Sequence, residues 1–166
     1  MEKITRKHLS LASLIVFIVY ICILIYFVFF SDRYGRLEGF TEYRYNMKPF
    51  EEIKRYLSYT DYFTMENLIT NLAGNILVFS PMGILLPIFM QRKVGLIYIG
   101  GASFLLSLFI ETVQLVFKIG VFDVDDLIMN TLGGILGYFV YLGTRKIYRF
   151  FFRRKRIREL RKNRKE

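Results

Sequence analysis

Four long apolar segments constrain the fold of this sequence more than any other feature. The first, Leu9–Phe30, carries no charge over 22 residues, which is about 33 Å as an α-helix and enough to cross a bilayer. The others are Asn67–Met90, Val94–Phe117, with Glu111 as its one charge, and Leu127–Tyr148. A bilayer core permits only helices or closed barrels, and the alternation of strands is absent. The sequence therefore predicts an all-α membrane protein, a bundle of four transmembrane helices.

Positive charge is concentrated after the last apolar segment. The net charge is +10, and the residues from Arg145 onward contain 12 Lys or Arg and two Asp or Glu, so they account for all of it. Lys3, Arg6 and Lys7 precede the first apolar segment, and Arg92 and Lys93 lie in the turn between the second and the third. Because basic loops stay in the cytoplasm, four spans place both termini there. We predict a membrane domain over residues 1–148 and a basic cytoplasmic tail over 149–166, which contacts anionic lipid rather than nucleic acid.

The scarcity of cysteine and histidine excludes several kinds of site. Cys22 and His8 are the only residues of their types, so the chain has neither an internal disulfide nor a zinc site of thiolate and imidazole ligands. His8 precedes the first apolar segment, which argues against a nucleophile activated by histidine. A metal ion in this protein would need oxygen ligands.

The connection Ser31–Glu66 is expected on the outer side of the membrane. It carries 6 basic and 7 acidic residues and is rich in Tyr and Phe. Within it, NMKPFEEIKRYLSY predicts a short helix, because Pro49 suits a first helical position and Glu51 and Glu52 favour a first turn. Its apolar face would comprise Phe50, Ile53, Tyr56 and Leu57. We interpret it as an interfacial helix or a lid on the bundle.

Polar side chains recur at helical spacing in the three later segments, so that each segment has a polar face. At a rise of ~1.5 Å per residue, Asn75, Glu111 and Asn130 lie at a similar depth in the outer leaflet. Such residues are costly in lipid but suit a shared pocket that opens outward. The predicted ligand-binding residues are Asn71, Asn75, Glu111, Gln114, Asp123, Asp126 and Asn130.

These residues also have structural interpretations. Asp123 suits the N-cap of the last helix, with Asp126 at its third position, and the asparagines and glycines suit contacts between helices. Glu111 is harder to explain, since an ionisable group at the centre of a span costs roughly 2.5–3.5 kcal/mol on insertion scales and needs a partner. Carboxylates and amides also suit Mg²⁺, Mn²⁺ or Ca²⁺. No cofactor is predicted as a requirement, and a divalent cation stays open.

The motifs resemble those of the VanZ-like family of small bacterial membrane proteins. The matching elements, in order over Asn46–Gly143, are NMKPF, NLAGNILVFSPMGILLP, ETVQ and GVFDVDDLIMNTLGGILG. The resemblance implies an integral membrane protein of a Gram-positive bacterium that lowers susceptibility to teicoplanin and related lipoglycopeptides, with little effect on vancomycin. Some relatives carry an arginine just before the first aspartate of the last motif. Here Phe122 precedes Asp123, which removes a phosphate clamp and weakens a phosphoryl-lipid hypothesis.

Two functions compete at this point. In the first, a non-enzymatic envelope protein binds a membrane lipid, a lipid-linked cell-wall component or the lipoglycopeptide itself in the outward pocket. In the alternative, an intramembrane enzyme modifies a lipid-linked substrate, with Glu111 as general acid or base and Asp123 and Asp126 orienting a water or a cation. A transporter ranks below both, because no inverted repeat is visible. The residues alone leave binding and catalysis open.

Overall fold

In the part of the chain that the structure describes, four long helices and two very short strands make up the fold. It was obtained as a computed structural model, which describes residues 2–30, 40–51, 54, 62–90 and 94–163. The helices are α1 (Glu2–Phe30), α2 (Tyr62–Met90), α3 (Leu96–Val116) and α4 (Val124–Asn163). The strands, β1 (Tyr45–Asn46) and β2 (Phe122–Asp123), are the only sheet in the described ranges. The predicted all-α class is confirmed.

In the described part of the chain, four helices are long and apolar enough to cross a membrane. Their apolar stretches run over Ser10–Phe29, Thr70–Met90, Leu96–Val116 and Val124–Phe152. Large apolar side chains on their outer surfaces are exposed, Ile97 at 91% among them. Such surfaces would be costly in water, but lipid tails are as apolar as these side chains.

Helix α4 extends beyond the apolar segment Leu127–Tyr148 at both ends. It begins at Val124, three residues before the predicted Leu127, and continues to Asn163. The backbone therefore stays helical through the predicted boundary between residues 148 and 149, and 11 basic-rich residues of this helix, 153–163, follow its apolar stretch. No change of secondary structure separates the two predicted regions.

Glycines bring the backbones of α2 and α4 into close contact. A Cβ on Gly133 would collide with the backbone of Ile76, and one on Gly137 with that of Ser80. From the other side, a Cβ on Gly83 would collide with the backbone of Gly134. Small residues at such positions let membrane helices approach closely and gain dispersion contacts. The interpretation of these glycines as packing sites is confirmed.

Helix α2 runs without a break through both of its prolines. Pro81 and Pro87 predict a kink or break, because proline has no N–H and its ring clashes with the preceding turn. The structure shows one helix from Tyr62 to Met90. Since Pro81 leaves the carbonyl of Leu77 without its helical donor, the Ser80 hydroxyl donates to that oxygen at 2.9 Å. Serine side chains can restore such freed carbonyls inside a span.

The remaining helices dock on this pair through apolar contacts and a few hydrogen bonds to backbone. Helix α1 packs against α2, where the Ser10 and Tyr20 hydroxyls donate to the carbonyls of Phe89 (3.1 Å) and Val78 (3.0 Å). Helix α3 packs against α4. The buried apolar core between the helices comprises Leu24, Phe79, Met82, Leu86, Ile99, Ile110 and Tyr138.

The segment 40–51, which we call the strap, is joined to the turn between α3 and α4. Strand β1 pairs in parallel with β2, with Asn46 opposite Asp123. The Phe40 N–H donates to the Lys118 carbonyl at 2.7 Å, and the Lys118 ammonium donates to the Thr41 carbonyl at 3.0 Å. The strap therefore covers the end of the bundle at which α3 ends and α4 begins.

The predicted helix in the outer connection is described only in part. Glu51 and Lys54 are helical, and the Lys54 N–H donates to the Phe50 carbonyl at 3.0 Å. Pro49 is not the first helical position; it lies in the preceding turn, because Phe50 adopts a left-handed conformation with φ of 61°. Ile53, Tyr56 and Leu57, on the predicted apolar face, lie outside the described residues.

The contact between α2 and α4 predicts opposite effects for two glycine substitutions in the same helix. Gly137→Ala should lower the free energy of unfolding by about 1–3 kcal/mol, as overpacking does, because the new methyl group meets the Ser80 backbone. Gly143→Ala should be neutral or stabilise by up to about 1 kcal/mol, because no atom lies near its Cβ position. Reversible unfolding in detergent measures both, and equal effects would contradict the proposed contact.

Candidate functional site

Polar side chains from three helices line one cavity near the strap end of the bundle. Its volume is about 70 Å³, and it is partly open. Helix α2 contributes one amide, α3 a carboxylate and an amide, and α4 a carboxylate and an amide. These residues are Asn75, Glu111, Gln114, Asp126 and Asn130. Val28, Val78, Phe79 and Ile110 supply the apolar part of the wall.

The Asn75 side chain joins the polar faces of α2 and α4. Its Nδ2 donates to Oδ1 of Asp126 at 2.5 Å. The two residues meet because Gly133, two turns further along α4, lets the backbones approach at Ile76. This bond therefore fixes the Asp126 carboxylate within the cavity wall.

Glu111 is buried, with 3% of its surface exposed, although it lies in a membrane-spanning helix. Its Oε2 accepts a hydrogen bond from the backbone N–H of Asp123 at 3.1 Å. The turn after α3 thus folds back, and the backbone just before α4 contacts the polar face of α3 at Glu111. This contact supplies one of the partners that a carboxyl group requires in a region of low dielectric constant.

Asp123 is the N-cap of α4. Its Oδ1 accepts from the N–H of Asp125 at 2.8 Å, which satisfies one of the unpaired donors at the helix start. Both carboxylate oxygens also accept from Nδ2 of Asn46, at 3.3 and 3.2 Å. The N-cap interpretation is confirmed, and Asp126 is at the third position of the helix as predicted. Asp123 does not line the cavity.

Asn71 also lies outside the cavity wall. It is half-buried, one helical turn before Asn75 on the same side of α2. The structure therefore brings five of the seven predicted ligand-binding residues to the cavity and leaves Asn71 and Asp123 beside it.

The other two amides of the cavity use a side-chain N–H to hold neighbouring elements. Gln114 Nε2 donates to the Val28 carbonyl at 3.3 Å, which joins α3 to α1. Asn130 Nδ2 donates to the Ser107 hydroxyl oxygen at 2.8 Å, which joins α4 to α3. Asn130 is 5% exposed, and its Oδ1 is buried without a hydrogen-bond partner. An unpaired buried oxygen of this kind costs about 1–3 kcal/mol.

Asp125 is a structural residue that the sequence interpretation left out of the site. It is 1% exposed, and its Oδ1 accepts from the Phe50 N–H at 2.5 Å. This contact holds the end of the strap on the first turn of α4. The sequence signal for Asp125 was an acidic residue at the second position of a helix. Its partner Phe50 lies 75 residues away, so no local sequence pattern identifies this contact.

The described residues contain no group of three or more His, Cys, Asp or Glu side chains arranged to hold a metal ion. The acidic residues instead make different kinds of contact. Asp123 and Asp125 bind backbone and strap, whereas Glu111 and Asp126 line the cavity.

Comparison with known proteins gives one consistent relationship. The sequence profile of the family described as VanZ/LLP1 matches residues 17–150. The chain is 31% identical over 123 residues to a protein named Protein VanZ from Enterococcus faecium, which covers 74% of this chain and 69% of that relative. No solved structure gives a significant match. The resemblance inferred from the motifs is confirmed.

Substitutions at Asp123 test its role as the helix cap. Asp123→Ala should lower the free energy of unfolding by about 0.5–2 kcal/mol, since alanine cannot accept from the Asp125 N–H. Asp123→Asn should lose much less, because asparagine is an equally good cap. Unfolding in detergent compares the two. A loss with asparagine as large as with alanine would mean that the charge, rather than the cap, is what α4 requires.

Proposed function

The chain belongs to the VanZ/LLP1 family, and on that premise we propose that it lowers bacterial susceptibility to teicoplanin and related lipoglycopeptides. Family membership and the four apolar helices make it a multi-pass membrane protein. In this proposal the cavity near the strap binds part of a cell-envelope lipid, a lipid-linked cell-wall component or the drug. Occupancy there would reduce engagement of the drug at the membrane surface.

The observation that carries the binding role is the polar cavity itself. Two carboxylates and three amides inside a membrane bundle are costly to remove from water. Such residues are therefore rare in membrane spans and typical of functional sites. Some of that cost is offset by contacts within the protein, such as Asn75 with Asp126. The buried, unpaired oxygen of Asn130 is not offset in this way. A polar group that binds the cavity wall would offset part of the remaining cost.

Binding is better supported than the alternative of an intramembrane enzyme. The enzymatic hypothesis assigns Asp123 to orient a water or a cation beside Glu111 and Asp126. Asp123 instead caps α4 and binds Asn46, and it lies outside the cavity wall. Glu111 and Asp126 do line the cavity, so substitutions that remove their charge test both hypotheses.

The cavity has room for a chemical group rather than for a whole drug molecule. A water needs at least about 10–15 Å³ of such volume, so about 70 Å³ holds a few waters or one small polar head. The bulk of a lipid or lipoglycopeptide would remain in the bilayer or against the exposed side chains of the strap. Tyr43, Tyr45 and Met47 are exposed there and supply an apolar surface for it.

The proposed topology places the strap outside and both termini in the cytoplasm. The Lys/Arg-rich residues after Arg145 and the pair Arg92 and Lys93 then lie on the inner side, as short basic loops do. With an even number of spans, the strap and the turn at Lys118 lie on the opposite side. The cavity, which is near the strap, would then belong to the outer half of the membrane.

Drug susceptibility tests the proposed role. Expression in a susceptible Gram-positive host should raise the inhibitory concentration of teicoplanin and leave that of vancomycin unchanged. Glu111→Gln and Asp126→Asn should abolish the protection, because they remove the charges of the cavity wall while keeping acceptor oxygens. The matched control is Thr112→Ala, an exposed position next to Glu111, with membrane levels compared for every variant.

Two results of this assay would contradict different parts of the proposal. Wild-type expression without a rise for teicoplanin would contradict the role. A rise that persists in well-expressed Glu111→Gln and Asp126→Asn would contradict the use of the cavity and direct attention to the strap.

Reporter accessibility tests the topology. In a chain with Cys22 replaced by serine, a cysteine at Lys118 should react with a membrane-impermeant maleimide in intact cells. A cysteine introduced at Arg145 should react only after the cells are opened. Labelling of the second position in intact cells would reverse the proposed orientation.

A further inference from the structure

The apolar stretch of α4 is longer than those of α2 and α3. It covers 29 residues, Val124–Phe152, whereas the other two cover 21 each. At a rise of ~1.5 Å per residue, these lengths are about 43 Å and about 31 Å. The hydrocarbon core of a bilayer is about 30 Å thick, and the headgroups bring the total to about 40–45 Å. Helices α2 and α3 therefore match the core, and α4 is long enough to cross a headgroup region as well.

The contacts of α2 with α4 show at which end α4 is the longer helix. The glycine contacts between them follow the same order along both helices, so the two run parallel. Gly83 lies against the backbone of Tyr138. Met90, at which α2 ends, and Arg145 each lie seven residues further on. Helix α4 therefore continues past the end of α2 from Arg145 onward, and we call the residues Arg145–Phe152 the overhang.

The overhang carries basic side chains on one face and apolar side chains on the opposite face, as helical spacing dictates. The basic face comprises Arg145, Lys146 and Arg149. The apolar face consists of side chains that are more than half exposed: Ile147, Phe150 and Phe151. The sequence between Asp126 and Glu159 contains no acidic residue. The positive charge of the overhang is therefore not neutralised by a carboxylate on this part of α4.

Arg145 is oriented by a series of contacts that begins inside the bundle. The Tyr138 hydroxyl donates to the Val94 carbonyl at 2.6 Å. The rings of Tyr138 and Tyr141 stack with their centroids 5.9 Å apart, and the Arg145 guanidinium lies 5.9 Å from the Tyr141 centroid. A cation at such a distance is attracted by the ring. Part of the entropy cost of ordering the Arg145 side chain is thus offset before a ligand binds.

We propose that Arg145, Lys146 and Arg149 bind the phosphate group of an anionic phospholipid at the headgroup level of the bilayer. The overhang begins where the core-length helix α2 ends, so these bases lie at the level of lipid phosphates. Guanidinium groups match phosphate oxygens in geometry as well as in charge. Tyr148, which is 60% exposed, suits the same level, where tyrosine is enriched.

This site goes beyond the proposed function and does not depend on it. The sequence pattern predicted contact with anionic lipid for residues 149–166, whereas Arg145 and Lys146 precede that tail. The inner leaflet follows from the proposed topology. The site itself does not, because the length of α4 and its contacts with α2 are independent of orientation.

A single tryptophan tests the lipid next to the site, because the chain contains no tryptophan. Leu142→Trp puts this reporter at an exposed position one turn before Lys146. The full chain is reconstituted in phosphatidylcholine vesicles with a fixed fraction of brominated lipid, which quenches tryptophan on contact. From quenching curves, the affinity for brominated phosphatidylglycerol should exceed that for brominated phosphatidylcholine about fivefold or more, as one basic residue near anionic lipid suffices for roughly that factor.

A second reporter separates a site from general attraction of anionic lipid to a basic protein. Phe109→Trp lies at an exposed position of α3, away from the overhang, and should be quenched equally by both lipids. A preference there as large as at Leu142→Trp would overturn the site. Equal quenching at Leu142→Trp would also overturn it, and would leave the exposed overhang as a surface for a protein partner.

Charge substitutions assign the preference to the overhang rather than to the residues after it. In the Leu142→Trp chain, the preference for phosphatidylglycerol should disappear with Arg145→Gln, Lys146→Gln and Arg149→Gln combined. The matched control removes three charges from the tail and should keep most of the preference: Arg153→Gln, Arg154→Gln and Lys155→Gln. Equal losses in the two variants, or a preference that survives the first, would overturn the assignment.

Substitutions at Tyr141 test whether the ring orients Arg145. Tyr141→Leu removes the ring and should lower the preference for phosphatidylglycerol severalfold, whereas Tyr141→Phe keeps the ring and should retain it. Equal preferences in the two variants would overturn the orienting role of Tyr141. Because both leaflets of the vesicles have the same composition, these measurements do not depend on topology. Their failure would leave the proposed role in susceptibility in place, and loss of that role would leave this site in place.

Discussion

The close approach of α2 and α4 is the contact on which the rest of the structure depends. Gly83 on one helix and Gly133 and Gly137 on the other leave no room for a side chain between the two backbones. In a bilayer such packing replaces the hydrophobic effect as the source of helix association, because lipid is as apolar as the helix surfaces. It also brings Asn75 to Asp126. The polar wall of the cavity is thus a consequence of apolar, glycine-mediated packing.

A second set of contacts closes the end of the bundle with polar groups. Glu111 accepts from the backbone of Asp123, Asp123 accepts from Asn46, and Asp125 accepts from Phe50. These carboxylates join helix α3, helix α4 and the strap, segments that lie far apart in the sequence. Buried acceptors of this kind are stable only when their donors are in place. The cavity and the strap therefore form one structural unit.

The acidic residues have different structural roles, and these roles explain which sequence predictions succeeded. Helical spacing placed Asn75 on a polar face of α2 and Glu111 on a polar face of α3. It placed Asp126 and Asn130 together on a polar face of α4, and the helices bring these three faces together. Spacing could not separate Asp123 from the cavity, since a cap residue and a cavity residue look alike in an Asp-rich turn. It also gave no role to Asp125, whose partner is in the strap. Pro49 was wrongly placed because Phe50 adopts a left-handed conformation, and its N–H donates to Asp125, which is distant in the sequence.

Some properties of this protein thus follow from its sequence alone, and others follow only from its tertiary structure. The sequence by itself determined the class of protein, the number and approximate extent of its spans and the family, because hydrophobic length and motif order are local properties. It also determined that polar side chains would recur on three helix faces. Only the tertiary structure decided which of them enclose a cavity, which cap a helix and which oxygen remains unpaired. Those assignments depend on hydrogen bonds between residues as many as 86 positions apart, and helical spacing carries no information about such partners.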